Sequence, residues 1–212
     1  MKYFLDFGAH KLEGLKEFTR RLNIDTEWIV QSYEPNIFVY EVAKKNLENV
    51  KDKYRKISLE QKAIMHENGS VTFNAHKGCW KDESKTEYLE QMTTGGNVLD
   101  FNPHMDIGNR VVFDSEEVEV ECVDVDEILR NICENDKEAE IYIKCDIEGA
   151  EFVVLPRIIE SDYSKNIKEI HTEWHERMWF YEGMEGITQK QRERFLYTSQ
   201  LKKLGIKCFD HT

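Results

Sequence analysis

Apolar and polar positions along this chain switch repeatedly between a period near two and a period near 3.6, the signature of alternating strands and helices. Lys2–Phe7 is a short apolar, β-prone run that ends at Gly8. Residues 12–22 then carry Leu12, Leu15, Phe18 and Leu22 near one helical face. Residues 27–33 read as a second strand and 37–54 as a second helix rich in Lys and Glu. A third strand is predicted over 57–65, a turn at His66-Glu67-Asn68-Gly69, and a hairpin partner over 71–75. After a stretch without clean period, 118–123 alternates like a strand, and 125–133 has helical spacing. Strands at 141–145, Ile167–Thr172 and 206–209 alternate with helices at 149–160 and 188–204. Such alternation predicts an α/β fold with a mostly parallel, doubly wound sheet and helices on both faces.

Length and composition narrow the picture. At 212 residues the chain suits one α/β domain spanning 1–212. The exception to its regularity is an irregular loop or insertion at about 76–110, which holds Gly78, Gly95, Gly96, Gly108 and Pro103. A formal net charge of −12 disfavours a phosphate-backbone partner, so no nucleic acid is expected. The five cysteines are scattered without a C-x-x-C pair, which fits reduced thiols better than a disulfide framework. Neither a membrane-spanning apolar run nor signal-peptide architecture is visible, and a cytoplasmic location is the expectation. A homo-oligomer is compatible with this composition.

Three segments carry candidate chemistry. In the first, Asp6-Phe7-Gly8-Ala9-His10 through Gly14 falls where strand hands over to helix, and Gly8 permits a sharp turn and close ligand approach. Glu34 follows at the end of the second strand, where a carboxylate accepts hydrogen bonds from both hydroxyls of a ribose; Pro35-Asn36 then breaks the strand. A glycine turn with a solvated Glu34 is the plainer alternative. The loop lacks the G-x-G-x-x-G spacing of a pyrophosphate cradle, and acidic Asp6 suits a sulfonium cofactor with an amino-acid tail better than a dinucleotide.

In the second segment, an apolar strand runs into Asp146, Glu148 and Glu151 around Gly149. Ligands of open α/β sheets bind outside the carboxyl ends of strands, although one of these acids would suffice as a helix cap. In the third, His171, Glu173 and His175 alternate at a strand end and would share one side of an extended chain. They can pack and hydrogen-bond, His175 can act as a general base or contact substrate, or the three can bind Zn²⁺, Fe²⁺ or Mn²⁺. The aromatic run of Trp174, Met178, Trp179, Phe180 and Tyr181 reads as core, or as an apolar pocket wall with Trp174 against the substrate.

Taken in order, these segments resemble FkbM-type methyltransferases. Lys144-Cys145-Asp146-Ile147-Glu148-Gly149-Ala150-Glu151 is similar to their K-x-D-x-E-G-x-E signature, Asp6-Phe7-Gly8-Ala9 to their D-x-G-A motif, and Tyr33-Glu34-Pro35-Asn36 to their E-P-N segment. The resemblance extends to the third-strand region at Lys62-Ala63-Ile64-Met65 and to Val123-Asp124-Val125-Asp126-Glu127. It implies a Rossmann-like class I methyltransferase fold; as a departure from the family pattern, the usual final antiparallel strand is expected to be absent or supplied by a partner. It also implies methyl transfer from S-adenosylmethionine, commonly to a hydroxyl of a small molecule or sugar. By motif position, Asp6, Gly8, Ala9, His10 and Gly14 line the cofactor loop, and Glu34 with Pro35 and Asn36 holds the ribose. Ala63 lies near the adenine and Asp146 beside the methyl group. Asp146 or His175 would take the acceptor proton, with Glu148, Glu173 and Trp174 on the substrate side. Leu12 or its neighbour stands where such loops usually carry glycine, which keeps a non-catalytic binding module open as an alternative. An NAD-dependent oxidoreductase is the more distant one.

Overall fold

A computed structural model describes residues 1–80, 88–89, 96–97 and 112–211. Its main sheet uses β1 (Lys2–Phe7), β2 (Trp28–Tyr33), β3 (Lys56–Glu60), β9 (Glu140–Cys145), β10 (Ile167–Thr172) and β11 (Lys207–Asp210). The spatial order is β11-β10-β9-β1-β2-β3, and every neighbouring pair is parallel. Chain direction across the sheet therefore reverses between β1 and β9, the switch point where ligands of such sheets bind.

Alternation along β1 sorts the two faces. Tyr3, Leu5 and Phe7 pack with Ile141, Ile143, Leu129, Leu155 and Ile158 beneath α3 (Val125–Asn135) and α4 (Glu151–Glu160). Phe4 points the other way, with Leu15, Phe18, Val30 and Ala43, under α1 (Glu13–Leu22) and α2 (Ile37–Glu48). A strand buried on both faces reads as a continuous apolar run, and β1 and β9 do so. The last helix, α5 (Gly183–Lys203), covers α4, and Leu201 joins the core. No helix among the described residues is long and apolar enough to cross a membrane.

Residues 57–65 do not form one strand. The chain breaks at Gln61-Lys62, and β3 stays in the main sheet while β4 (Ala63–Met65) starts a second one. Burial explains the break. Ile57 and Leu59 pack under α1 and α2, whereas Ala63 and Met65 belong to a separate cluster with Phe73, Ala75 and Val120. The hairpin expected between 57–65 and 71–75 is also replaced. Here β5 (Gly69–Trp80) pairs antiparallel with β8 (Val112–Asp124), and β4 lies parallel to β8 on its other side. Short strands β6 (Tyr88–Leu89) and β7 (Gly96–Asn97) pair with β5. Strand β5 thus takes residues 76–80 out of the expected irregular stretch; Gly95, Pro103 and Gly108 lie outside the described residues. The second helix ends at Glu48 rather than near Tyr54, because Tyr54 is buried against α1, where its hydroxyl meets Thr19 at 2.9 Å. The last helix begins at Gly183, ahead of the expected 188.

Candidate active site

Between the carboxyl ends of β1, β2 and β9 lies a cleft of about 420 Å³. Gly8, Ala9 and His10 form one edge, Tyr33, Glu34 and Pro35 a second, and Lys144, Asp146, Ile147 and Glu148 a third. The second sheet closes the side with Ala63, Ile64 and Phe73.

The turn after β1 is tightly folded. Gly8 and Ala9 both donate to the Tyr33 carbonyl, at 3.1 and 2.9 Å, and Leu12 donates to Ala9 at 2.8 Å. Gly8 has φ +76°, and a Cβ there would collide with the Asp146 carbonyl, so only glycine fits. Two non-glycine residues are also left-handed, His10 at φ 48° and Leu12 at φ 66°. Leu12 accepts this conformation while its side chain is buried with Leu15 and Phe18.

Glu34 is 2% exposed and anchors the loop. One carboxylate oxygen accepts the His10 N–H at 2.7 Å and the other the Asn36 N–H at 2.9 Å. Burial pushes this carboxyl up to about 7, against the pull of those two N–H groups. Each oxygen keeps a further lone pair. Asn36 is not part of the cleft wall. Its Oδ1 caps α2 by accepting the Phe38 N–H at 3.0 Å, and its amide donates to the His76 carbonyl at 2.9 Å.

Lys144, 3% exposed, ties the turn to the acidic corner. Its Nζ donates to the Gly8 carbonyl at 2.7 Å and lies 3.2 Å from Asp146 Oδ2 and 3.4 Å from Asp6 Oδ1. Burial alone would lower its pKa, but the two carboxylates outweigh burial and raise it. Asp6 itself does not line the cleft. It is fully buried beneath it, and burial raises its pKa despite Lys144. Gly14 packs on the Lys144 stem, whose Cε would lie 2.8 Å from a Cβ added there.

Beyond Asp146 the backbone turns through Glu148 (φ 51°) and Gly149 (φ 101°) into α4. This turn delivers Asp146 and Glu148 to His175, which follows β10. His175 Nε2 lies 3.4 Å from Glu148, 3.8 Å from Glu173 and 3.9 Å from Asp146. Its Nδ1 lies 3.3 Å from Glu151 Oε1. Burial by itself disfavours the charged ring, but the Glu151 hydrogen bond and the charges of Glu148, Glu151 and Asp146 push it up to about 10. Burial likewise pushes Glu148 up to about 7, against the pull of His175. Ligand atoms of Asp146, Glu148 and His175 fall within 4.8 Å of one another, close enough to share a divalent cation.

That grouping differs from the expected His171, Glu173 and His175. His171 points to the other side of the sheet, stacked on Phe209 at 4.7 Å and edge-on to Phe18 at 4.9 Å, with Glu169 at Nε2. Burial and Arg21 hold it down to about 4. The common side assumed for the three residues requires an extended chain, and β10 stops at Thr172. Trp174 does not reach the cleft either. It packs on Phe152, 5.5 Å between ring centroids, in a cluster with Trp179 and Met178. The side chains of Phe180 and Tyr181 lie outside the described residues.

Sequence reasoning missed Glu13, Glu17, Lys62 and His211 on the cleft wall. The first two were legible as the exposed face of α1. His211 arrives from the far end of the chain, through a backbone bond to the Thr172 carbonyl at 2.9 Å, and no local signal announces it.

The family model described as methyltransferase FkbM domain matches residues 6–195. No curated protein and no solved structure matches the chain.

Proposed function

The chain belongs to the FkbM methyltransferase family, and from that premise we propose that it methylates a hydroxyl of a small molecule or carbohydrate with S-adenosylmethionine. The observation that carries this reading is the position of Glu34. A buried carboxylate at the end of β2 borders the switch-point cleft, which Asp146, Glu148 and Glu173 also line.

The residues fit the cofactor. Glu34 has lone pairs left for two ribose hydroxyls, and Ala63, Ile64 and Phe73 offer an apolar wall to an adenine. Glu13, Glu17, Glu34, Asp146, Glu148 and Glu173 outnumber Lys62 and Lys144 on the lining, a balance that suits a sulfonium and an ammonium better than a diphosphate. That balance speaks against NAD. It also speaks against a nucleic-acid acceptor. The tight hydrogen-bonded turn around Leu12 argues that the loop is built to bind rather than degraded. Bound in the cleft, the cofactor supplies an electrophilic methyl group.

The chain's own residues orient the acceptor and manage one proton. Lys144 holds Asp146 beside the Gly8 turn. His175, kept cationic by its carboxylate neighbours, is an acid rather than a base in the resting protein. The acceptor proton therefore passes to Glu148 or Asp146; a carboxyl near neutrality such as Glu148 is well matched to that role. His175 balances the negative charge around them. The buried thiols of Cys122, Cys133 and Cys145 are free, in keeping with a reducing cytoplasm.

Isothermal calorimetry with S-adenosylhomocysteine tests the cofactor, and labelled S-adenosylmethionine with a cell extract tests the transfer. Binding that is lost in Glu34→Ala and a labelled small product support the reading. A wild-type chain that binds NAD and not S-adenosylhomocysteine overturns it.

A further inference from the structure

Glu151 is the one acid of the Lys144–Glu151 signature that does not border the cleft. It is fully buried at the first position of α4, and both its oxygens are engaged. Oε2 accepts the Gly149 N–H at 2.8 Å, which fixes the turn that presents Glu148. Oε1 accepts the His175 backbone N–H at 2.7 Å and faces His175 Nδ1 at 3.3 Å. One carboxylate thus grips the imidazole at its backbone and at its inner nitrogen. Only Nε2 is left to face Asp146, Glu148 and Glu173.

Helix capping alone does not account for this arrangement. A first-turn acid needs one bond to a nearby N–H, and Oε2 supplies it. The second oxygen is spent on a residue 24 positions away, across the gap between the ends of β9 and β10. His175 lies in an irregular stretch after β10, and a ring on a loop has free rotamers unless something holds it. Glu151 holds it from the buried side, at the backbone N–H and at Nδ1.

We propose that Glu151 is a positioning residue for methyl transfer, acting through His175: it sets the imidazole so that Nε2 faces the acceptor side of the cleft. This inference rests on the methyltransferase reading above. Glu151 touches neither cofactor nor acceptor in this assignment. Removing it should leave cofactor affinity nearly intact and lower the rate of transfer.

The test uses the full chain with S-adenosylhomocysteine or S-adenosylmethionine as probe. Calorimetry comes first. If the wild type fails to bind S-adenosylhomocysteine, the methyltransferase reading falls, and the inference with it. If it binds, Glu151→Gln is expected to bind within about twofold and to transfer label to a cell-extract acceptor on the order of 10²-fold more slowly, because the Glu148 and Asp146 carboxyls that take the proton lose the fixed cation beside them. His175→Gln should show a similar loss, and the double variant Glu151→Gln, His175→Gln little more than either alone. Contacts that act through one another are non-additive in this way, whereas independent structural damage adds. Additive losses, or a Glu151→Gln chain at the wild-type rate, overturn the proposal. A second measurement survives a variant that fails to fold. In wild-type protein labelled with ¹⁵N-histidine, the His175 Nδ1 proton should be visible and slow to exchange with water. Exchange as fast as that of a surface histidine shows that Glu151 does not hold the ring, and the proposal falls.

Discussion

At the scale of single residues, the site is governed by what burial does to charge. Glu34 is the clearest case. Its carboxyl is pushed up to about 7, while ribose hydroxyls are best accepted by the ionised form. S-adenosylhomocysteine affinity should therefore weaken as pH falls below about 7, by at most about tenfold per pH unit. Glu34→Gln should bind weakly and lose that dependence, as calorimetry across pH 5.5–8.5 would reveal. Lys144 gives the complementary case. Lys144→Met leaves Asp6 buried without its cation, and breaking a buried pair from one side costs about 3–5 kcal/mol. Burial already raises the Asp6 pKa in the fold. The proton-bound form is thus favoured in the native state, and the stability it contributes is complete below the unfolded value of about 3.9. That contribution is lost as pH rises through the folded value. The stability gap between wild type and Lys144→Met in urea should accordingly be widest at neutral pH and shrink on acidification. A gap that widens on acidification would refute the pairing. Of these residues, Glu34 and Asp146 were legible in the sequence, because strand ends followed by breakers mark ligand edges. The positions of His171 and Trp174 were not. His171 lies within β10 on the face toward Phe18, and Trp174, past the strand end, turns onto Phe152; neither contact has a local signal.

At the scale of elements, the β1–α1 turn carries the strain and the site together. Gly8→Ala adds a Cβ against the Asp146 carbonyl, at a positive φ. Strain at such positions costs about 1–3 kcal/mol before the clash is counted. The variant should unfold earlier in denaturant and lose S-adenosylhomocysteine binding, since the turn and the Asp146 corner are in direct contact. Leu12 is the opposite experiment. A leucine at φ 66° costs roughly 1–2 kcal/mol relative to a relaxed backbone. Its buried side chain is worth about 2–5 kcal/mol when truncated. Leu12→Gly therefore loses more than it relieves, and denaturant unfolding should show a net destabilisation of about 1–3 kcal/mol. A stabilised variant would mean that the side chain contributes little there. The period of apolar positions gave β1, β2, β9 and β10 nearly to the residue, because strands buried on both faces need largely apolar runs. It could not separate β3 from β4. Apolar residues recur from Ile57 to Met65, and only the packing of Ile57 under α2 and of Met65 against Phe73 sends the two segments to different sheets.

At the scale of the whole molecule, the two sheets meet at the cleft, and neither completes it alone. The parallel sheet brings the carboxyl ends of β1, β2 and β9 and the segment after β10, while the second sheet brings Ala63, Ile64 and Phe73. Alternation of strand and helix in the sequence was enough to foresee the first, mostly parallel sheet but not its strand order. The second arises from pairing between β5 and β8, which are far apart in the chain and have no shared local pattern. A ligand that spans both sheets should couple their unfolding. At a concentration 100 times its dissociation constant, S-adenosylhomocysteine should stabilise the native chain by about 2.7 kcal/mol. For a chain of this size that is a rise in Tm of roughly 5–10 °C. Phe73→Ala, which empties the wall contributed by the second sheet, should shrink that rise at fixed ligand concentration as well as lowering the Tm of the free protein. Both effects are read in one set of melts. If the ligand raised Tm equally in wild type and Phe73→Ala, the second sheet would be a neighbour of the site and not part of it.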